Sequence, residues 1–96
     1  MSFNGQRYLT QGVQAEISFE LQLFMWALIA QLSEPKDYLQ VFRLSVSKKG
    51  TQHIVHKQEV PAYSREYDVR IDNPINAKVY VIDDSDHSTM LLAEEY

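Results

Sequence analysis

The most informative pattern in the chain is an apolar segment, residues 18–33, with the sequence SFELQLFMWALIAQLS. At about 100° per residue, its apolar side chains fall on two opposite faces of a helix, separated by narrow polar seams. One face carries Phe19, Leu23, Trp26, Ala27 and Ala30, and the other carries Leu21, Phe24, Met25, Leu28, Ile29 and Leu32. A surface helix usually shows one apolar stripe. The pattern therefore predicts a helix covered on both sides, on one side by a sheet of the same chain.

The ends of this helix are also marked in the sequence. Ser18 can cap the N-terminus with its hydroxyl, and Glu20 places a negative charge in the first turn, where the helix dipole favours it. Pro35 stops the helix because proline has no backbone N–H and disfavours helical backbone in the preceding residue. The uninterrupted apolar run, residues 23–30, is far shorter than the roughly 20 residues of a membrane span, so we expect no membrane helix.

Other segments show the alternation or short apolar runs typical of β-strands. These segments are residues 6–13 before the helix and residues 38–47, 51–60, 63–71, 76–83 and 88–93 after it. The run Val79-Tyr80-Val81-Ile82 predicts a central strand buried on both faces, and Gly50 predicts a hairpin turn with positive φ. Short connections require antiparallel neighbours. We therefore predict an α+β fold, with one N-terminal helix packed on an antiparallel sheet of four to five strands, in a single globular domain over residues 1–96.

A size comparison shows why a second cover is needed. A helix is about 10 Å wide, whereas five strands about 4.8 Å apart form a sheet about 24 Å wide, so one helix covers about half of one sheet face. We therefore expect a homodimer that includes the helix. The helix residues divide between core and interface, and tyrosine is common both in strands and at interfaces. The candidate interface residues are Phe19, Leu23, Trp26, Ala30, Tyr63 and Tyr67, the two tyrosines lying near Pro61 at an exposed sheet edge.

Composition excludes several classes of function. With 45% hydrophobic residues the chain is typical of folded globular proteins, and its net charge of −4 argues against binding nucleic acid through phosphates. The absence of cysteine excludes disulfides, thiol catalysis and cysteine-ligated zinc. The opening residues, MSFNGQRYLTQGV, contain neither a basic segment nor an apolar segment of the secretory kind, so we expect a cytoplasmic protein.

The two histidines of the HIVH motif, His53 and His56, are the first candidates for metal ligands. The motif lies in a predicted strand, in which residues three apart face opposite sides. A shared metal ion is then excluded by geometry. We expect two partly exposed histidines on the sheet.

The acidic turn, residues 83–86, is the best candidate for a cation site. Oxygen-bearing residues at positions 84, 86, 88 and 95 follow the spacing of an EF-hand loop. However, Thr89 stands where that loop needs glycine, and the flanks are predicted strands rather than helices. An aspartate-rich hairpin turn explains the same residues.

The sequence offers little evidence of catalysis. Asp86, His87 and Ser88 include the three residue types of a hydrolase triad, but triad members meet through the fold and adjacent residues rarely align. The sequence has no nucleophile elbow and no phosphate-binding glycine loop, and it has only three glycines. We expect no catalytic, cofactor or metal site.

Five motifs carry a resemblance to a known family. They are LQLFMW, DYLQVF, QEVP, PINAKVYVIDD and STMLLAEEY, which begin at residues 21, 37, 58, 74 and 88. Together they cover nearly the whole chain, and they resemble a small bacterial family, the domain of unknown function 960. The resemblance implies a small cytosolic protein of Gram-positive bacteria and implies no activity.

The leading hypothesis is a non-enzymatic protein-interaction module, homodimeric, whose partner is another cytosolic protein that adds a strand at the sheet edge near Pro61. The alternative is a small-ligand binder or enzyme with a pocket between helix and sheet, lined by Trp26, Tyr80 and His56. A cavity of a few hundred Å³ with two or more convergent polar side chains would favour the alternative. A third hypothesis is an acidic regulator that competes with nucleic acid for a basic protein, based on the net charge and Glu94-Glu95.

Overall fold

The central helix is present in the computed structural model, which describes residue 3 and residues 5–96. Part of the opening segment examined for a secretion signal, residues 1, 2 and 4, lies outside the described residues. Helix α2 is Phe19–Gln31, the Ser18 hydroxyl accepts a hydrogen bond from the backbone N–H of Leu21, and Glu20 lies in the first turn. The helix and its N-cap are therefore confirmed.

A second helix, α1 (Gln11–Glu16), precedes α2 and was not predicted. The expected first strand, residues 6–13, is correspondingly too long, since strand β1 is only Gln6–Leu9. Thr10 caps α1 by accepting a hydrogen bond from the N–H of Val13, whose side chain is fully buried. Six residues make fewer than two helical turns, which is too short for the helical period to be visible in the sequence.

The other strands are β2 (Leu39–Val46), β3 (Gln52–Gln58), β4 (Tyr63–Val69), β5 (Ala77–Asp83) and β6 (His87–Leu92), and a short 3-10 helix, Ala93–Glu95, follows them. They form a six-stranded sheet in the order β1-β6-β5-β2-β3-β4. Adjacent strands are antiparallel, except that β1 runs parallel to β6. The α+β class is confirmed. The count of one helix and four to five strands is wrong, because the prediction merged α1 into the first strand and left that strand out of the antiparallel sheet, whereas β1 pairs with β6 in parallel.

Strand β5 lies near the centre of the sheet, between β6 and β2, as predicted. Its residues Val79 and Val81 are fully buried against the helix side, whereas Tyr80 and Ile82, on the other face, are only half-buried. The expectation of burial on both faces is therefore wrong for the second face. The β2–β3 turn contains Gly50 at φ +82°, which confirms the predicted hairpin.

The hydrophobic core lies between α2 and one face of the sheet. Leu21, Met25 and Ile29 of the helix join Phe42 and Ile54 of the sheet in one cluster of buried side chains. The opposite face of the sheet, which we call the open face, contributes no residue to this cluster. In the described part of the chain, no helix is long and apolar enough to cross a bilayer.

Candidate interaction surfaces

The solvent side of α2 carries a line of apolar residues that we call the outer stripe: Phe19, Leu23, Ala27 and Ala30. Phe19 is 71% exposed and Leu23 is 51% exposed. Spacings of three and four residues place the four side chains in one row along the helix. The helix is therefore apolar on both sides, and a single chain leaves the outer side uncovered.

Trp26 does not belong to the outer stripe, although the sequence placed it on the same helix face as Phe19. Its indole is 5% exposed, lies in the core cluster, and has the Arg7 guanidinium 4.8 Å from the ring centre. Positions 19 and 26 point in nearly the same direction but are two turns apart. Arg7 extends from β1 over the indole, whereas the shorter Leu9, farther along β1, is itself exposed. The chain therefore covers the tryptophan and leaves the phenylalanine open.

A groove of about 690 Å³ adjoins the outer stripe at the junction of α1 and α2. Leu9, Ile17, Phe19 and Leu21 contribute apolar side chains to its lining, and Asp72 and Asn73 contribute polar ones. Because Phe19 belongs to both, the outer stripe continues into the groove, whose lining is half apolar and half polar.

Tyr63 and Tyr67 lie on β4, an edge strand, as the sequence predicts. Both are half-buried and face α2, where the Tyr67 ring packs edge-on against Phe24 at 5.9 Å and the Tyr63 ring lies 5.3 Å from His56. A hydrogen bond with Tyr67 raises the pKa of the Tyr63 phenol. The two tyrosines line a cavity of about 380 Å³ near the C-terminal end of α2. The structure therefore does not place all six candidate interface residues on one surface.

The sheet edge near Pro61 differs from the expectation. Strand β3, which precedes Pro61, pairs with β2 on one side and β4 on the other, so it is not an edge. Pro61 lies between β3 and β4. The free edges of the sheet belong to β4 and to β1.

A buried polar network, which the sequence analysis missed, lies under the C-terminal half of α2. His56 is fully buried, not partly exposed as predicted, and its ring stacks on Phe42 at 4.3 Å. Burial lowers the pKa of His56 to about 4, so the imidazole is neutral at pH 7. Its Nε2 lies 2.6 Å from the Gln40 side-chain oxygen, an acceptor, so Nε2 carries the proton and donates. The Nδ1 atom has no hydrogen-bond partner.

Two glutamines connect this histidine to the surface. The Gln40 amide donates to the Gln58 side-chain oxygen and to the carbonyl of Asp37, and the Gln58 amide donates to the carbonyl of Pro61. The Asp37 carboxylate accepts hydrogen bonds from the N–H groups of Glu59 and Val60. Burial raises the pKa of Asp37, but these backbone N–H groups outweigh it and lower the pKa overall. The network holds the β3–β4 turn in place. Its signal in the sequence is polar residues at inward positions of β2 and β3.

The pocket proposed between Trp26, Tyr80 and His56 does not exist. Trp26 and His56 lie on the helix side of the sheet, whereas Tyr80 lies on the open face. A strand turns successive side chains to opposite faces, and Tyr80 is one residue from the inward-facing Val79 and Val81. No single pocket can be lined by all three.

The carboxylates of the acidic turn interact with groups of the same chain. His87 lies 2.8 Å from Asp86 and 3.5 Å from Asp84, and Asp83 accepts a hydrogen bond from the N–H of Ser85. Glu95, the twelfth position of the EF-hand spacing, instead accepts hydrogen bonds from the Thr10 hydroxyl and the N–H groups of Gly12 and Leu92. These contacts favour the interpretation as an aspartate-rich hairpin turn.

The three residues of the possible hydrolase triad do not meet in the structure. His87 contacts Asp86, but Ser88 points to the other side of β6, where it is fully buried and its hydroxyl has no partner.

His53 and His56 likewise face opposite sides of β3, and His53 pairs with Asp68 at 3.1 Å and Glu66 at 3.0 Å. Within the described residues, no three histidine or carboxylate side chains are grouped to hold a metal ion.

Comparisons with known proteins identify the family. A protein of unknown function from Enterococcus faecalis has a crystal structure that superposes with a TM-score of 0.82, over 96% of this chain and 91% of that chain, at 22% identity. At that identity the likeness shows the fold alone. No curated protein matches the chain. A family model described as a staphylococcal protein of unknown function (DUF960) matches residues 6–95 and confirms the resemblance carried by the five motifs. The chain therefore belongs to the DUF960 family.

Proposed function

We propose that the protein is a non-enzymatic protein-interaction module that acts as a homodimer through the outer stripe of α2. The observation that carries the proposal is the exposure of Phe19 and Leu23 on a helix whose other side is buried in the core. Exposed apolar patches of this kind mark interaction sites. The proposal names a second copy of the chain as the occupant.

The order of residues along the outer stripe supports a second copy. Two large side chains, Phe19 and Leu23, are followed by two small ones, Ala27 and Ala30. In an antiparallel pair of α2 helices related by a two-fold axis near Met25, the large side chains of each copy lie opposite the small ones of the other. A two-fold interface requires a surface that is complementary to itself, and this arrangement meets that condition.

The extent of the surface sets the expected strength of the dimer. The 13 residues of α2 are about 20 Å long and the helix is about 10 Å wide, which gives a projected area of about 200 Å². A stable interface buries about 800 Å² per partner. The outer stripe therefore needs the adjoining groove near Leu9 and Ile17, and we expect association in the micromolar range.

The first test replaces the large residues of the outer stripe. In the variant F19E/L23E, two carboxylates per chain would be buried without partners in the dimer, so we expect the variant to be monomeric. The matched control, Y38E/V60E, changes two apolar residues with similar exposure, 59% and 74%, elsewhere on the surface. Sedimentation equilibrium should show that the control still dimerises. A dimer that survives F19E/L23E would contradict the proposal.

The second test uses the absence of cysteine from the chain. In the antiparallel pair, residue 23 and its symmetry mate are about 6 Å apart along the helix axes, whereas residue 30 and its mate are about 15 Å apart. A disulfide needs Cα atoms within about 7 Å. Oxidation of L23C should therefore give a covalent dimer, and oxidation of A30C should not. The reverse result would exclude this arrangement.

The alternative of a small-ligand binder or enzyme has less support. The cavity beside Tyr63 and Tyr67 has a suitable volume of about 380 Å³. However, the Gln58 side-chain oxygen accepts two hydrogen bonds and its NH2 group donates to the carbonyl of Pro61, and the Tyr63 hydroxyl bonds with Tyr67. The lining also includes the polar residues Gln31, Ser33 and Arg65, but all three are exposed at the surface, whereas a binding site needs polar groups that converge within the cavity.

The cellular location and the further partner are also proposals. We infer a cytoplasmic protein whose further partner is another cytosolic protein, and the support is the family resemblance stated above. Fractionation of cells that carry a tagged copy of the chain tests the location.

A further inference from the structure

The open face of the sheet carries a second apolar surface, on the side opposite α2. Leu91, Tyr80 and Val41 lie side by side on β6, β5 and β2, and Ile82 pairs with Leu39 in the next row. Leu91 is already buried, and the Tyr96 ring packs edge-on against Tyr80 at 5.5 Å, whereas Leu39, Val41, Tyr80 and Ile82 remain half-buried. The half-buried residues lie on two neighbouring strands about 5 Å apart, and an α-helix about 10 Å wide would cover both. The apolar strip therefore has the dimension that a single helix would cover.

Positive charge is concentrated around this strip. Lys57 lies beside Val41 on the neighbouring strand, and Arg43 lies beside Lys78 one row farther along. The three cations, Leu39, Val41, Tyr80 and one carboxylate, Glu59, all contribute to the lining of a groove of about 290 Å³. Within the described part of the chain, none of these cations forms an ion pair, and the Lys78 amine lies 5.5 Å from the Tyr80 ring centre. A chain with a net charge of −4 thus presents a locally basic groove.

The backbone of the open face limits what can bind there. β5 and β2 are central strands, so their backbone N–H and C=O groups are committed to the sheet. An extended peptide pairs with the edge of a sheet, not with its face. An occupant of the open face must bind through side chains. Its own backbone N–H and C=O groups must be hydrogen-bonded to each other, as they are in a helix.

We propose that the open face is the docking site for an acidic amphipathic helix of a partner protein. Its apolar side would cover Val41, Tyr80 and Leu39, and its flanking carboxylates would meet Arg43, Lys57 and Lys78. The sheet would then be enclosed by α2 on one side and by the partner helix on the other. The proposal is independent of the homodimer, because the outer stripe of α2 and the open face lie on opposite sides of the molecule.

The test uses two synthetic helical peptides labelled with fluorescein. The first has leucines at spacings of three and four residues and glutamates at the flanks, and the second has lysine in place of every glutamate. We expect saturable binding of the glutamate peptide, measured by fluorescence anisotropy, and none of the lysine peptide. In a titration monitored by NMR, amide shifts should map to Leu39, Val41 and Tyr80.

Two charge-reversal variants make the test specific. R43E/K78E should weaken binding of the glutamate peptide by at least about tenfold, because like charges then face each other. The matched control, K48E/K49E, makes the same change in net charge in the exposed β2–β3 turn and should change the affinity less than about twofold. Circular dichroism checks that both variants fold. The monomeric variant F19E/L23E should bind the peptide as the wild type does, which separates this proposal from the dimer.

Three results would overturn the proposal. They are the absence of saturable binding, equal weakening by the two charge reversals, and amide shifts confined to α2. A fourth result would reassign the surface: binding to vesicles of phosphatidylglycerol without binding to the glutamate peptide would show that the open face recognises an anionic membrane, and the helix proposal would be wrong.

Discussion

At the scale of single residues, His56 is the least expected feature of the molecule. Its neutral ring is stacked on Phe42, and one nitrogen donates to Gln40 while the other has no partner. An unpaired buried acceptor costs free energy, and a buried charge would cost more. The folded protein therefore requires a neutral histidine at this position, which makes its stability depend on pH.

The sign of this dependence follows from the pKa values. His56 has a pKa of about 4 in the folded protein and about 6.5 in the unfolded chain. Between these values the unfolded chain binds more protons, so acidification favours unfolding. We expect the stability difference between wild type and H56Q to shrink by about 2 kcal/mol from pH 7 to pH 5. Urea unfolding at one protein concentration measures it.

His53 supplies the control with the opposite sign. A hydrogen bond with Asp68 raises the pKa of His53, so its stabilising contribution is present at low pH and is lost as pH rises through the folded pKa. The stability difference between wild type and H53Q should therefore grow between pH 7 and pH 5. A difference between wild type and H56Q that stays constant or grows from pH 7 to pH 5 would show that His56 is not held neutral in the folded protein.

At the scale of elements, α2 was predictable because every local signal agreed. Ser18 caps the helix, Pro35 lies beyond its end, and the two apolar faces follow the helical period. The helical period could not provide the position of β1, whose Arg7 lies over Trp26, while Phe19 remains 71% exposed. The parallel pairing of β1 with β6 joins the two ends of the chain, and no local pattern indicates such a pairing.

The two sides of α2 should respond differently to the loss of a side chain. Leu21 is fully buried in the core, whereas Leu23, two residues farther along, is half exposed. We expect L21A to lower the free energy of unfolding by about 2–5 kcal/mol, because it leaves a cavity, and L23A to change it by less than about 1 kcal/mol in the monomer. Denaturant unfolding of both variants in the F19E background, at a concentration where sedimentation shows a monomer, gives the comparison. Similar losses would contradict the assignment of the two faces.

At the scale of the whole molecule, the fold class was predictable from alternation and turn residues, but the surfaces were not. The open face could not be assembled from the sequence, because the cations around it are far apart along the chain, at residues 43, 57 and 78. Only the register of β2, β3 and β5 places them around one groove. Similarly, the tyrosines of β4 were correctly placed at an edge, but their half-buried orientation toward α2 depends on how the helix packs.

The central claim is that a second copy of the chain covers the outer stripe of α2. Sedimentation equilibrium from 1 µM to several hundred µM, a range that brackets the micromolar association expected for an interface of this size, tests it most directly. The chain has a mass of 11.2 kDa, so the account predicts a rise with concentration to twice that mass, and no such rise in F19E/L23E. A wild-type mass of 11.2 kDa over the whole range would contradict it.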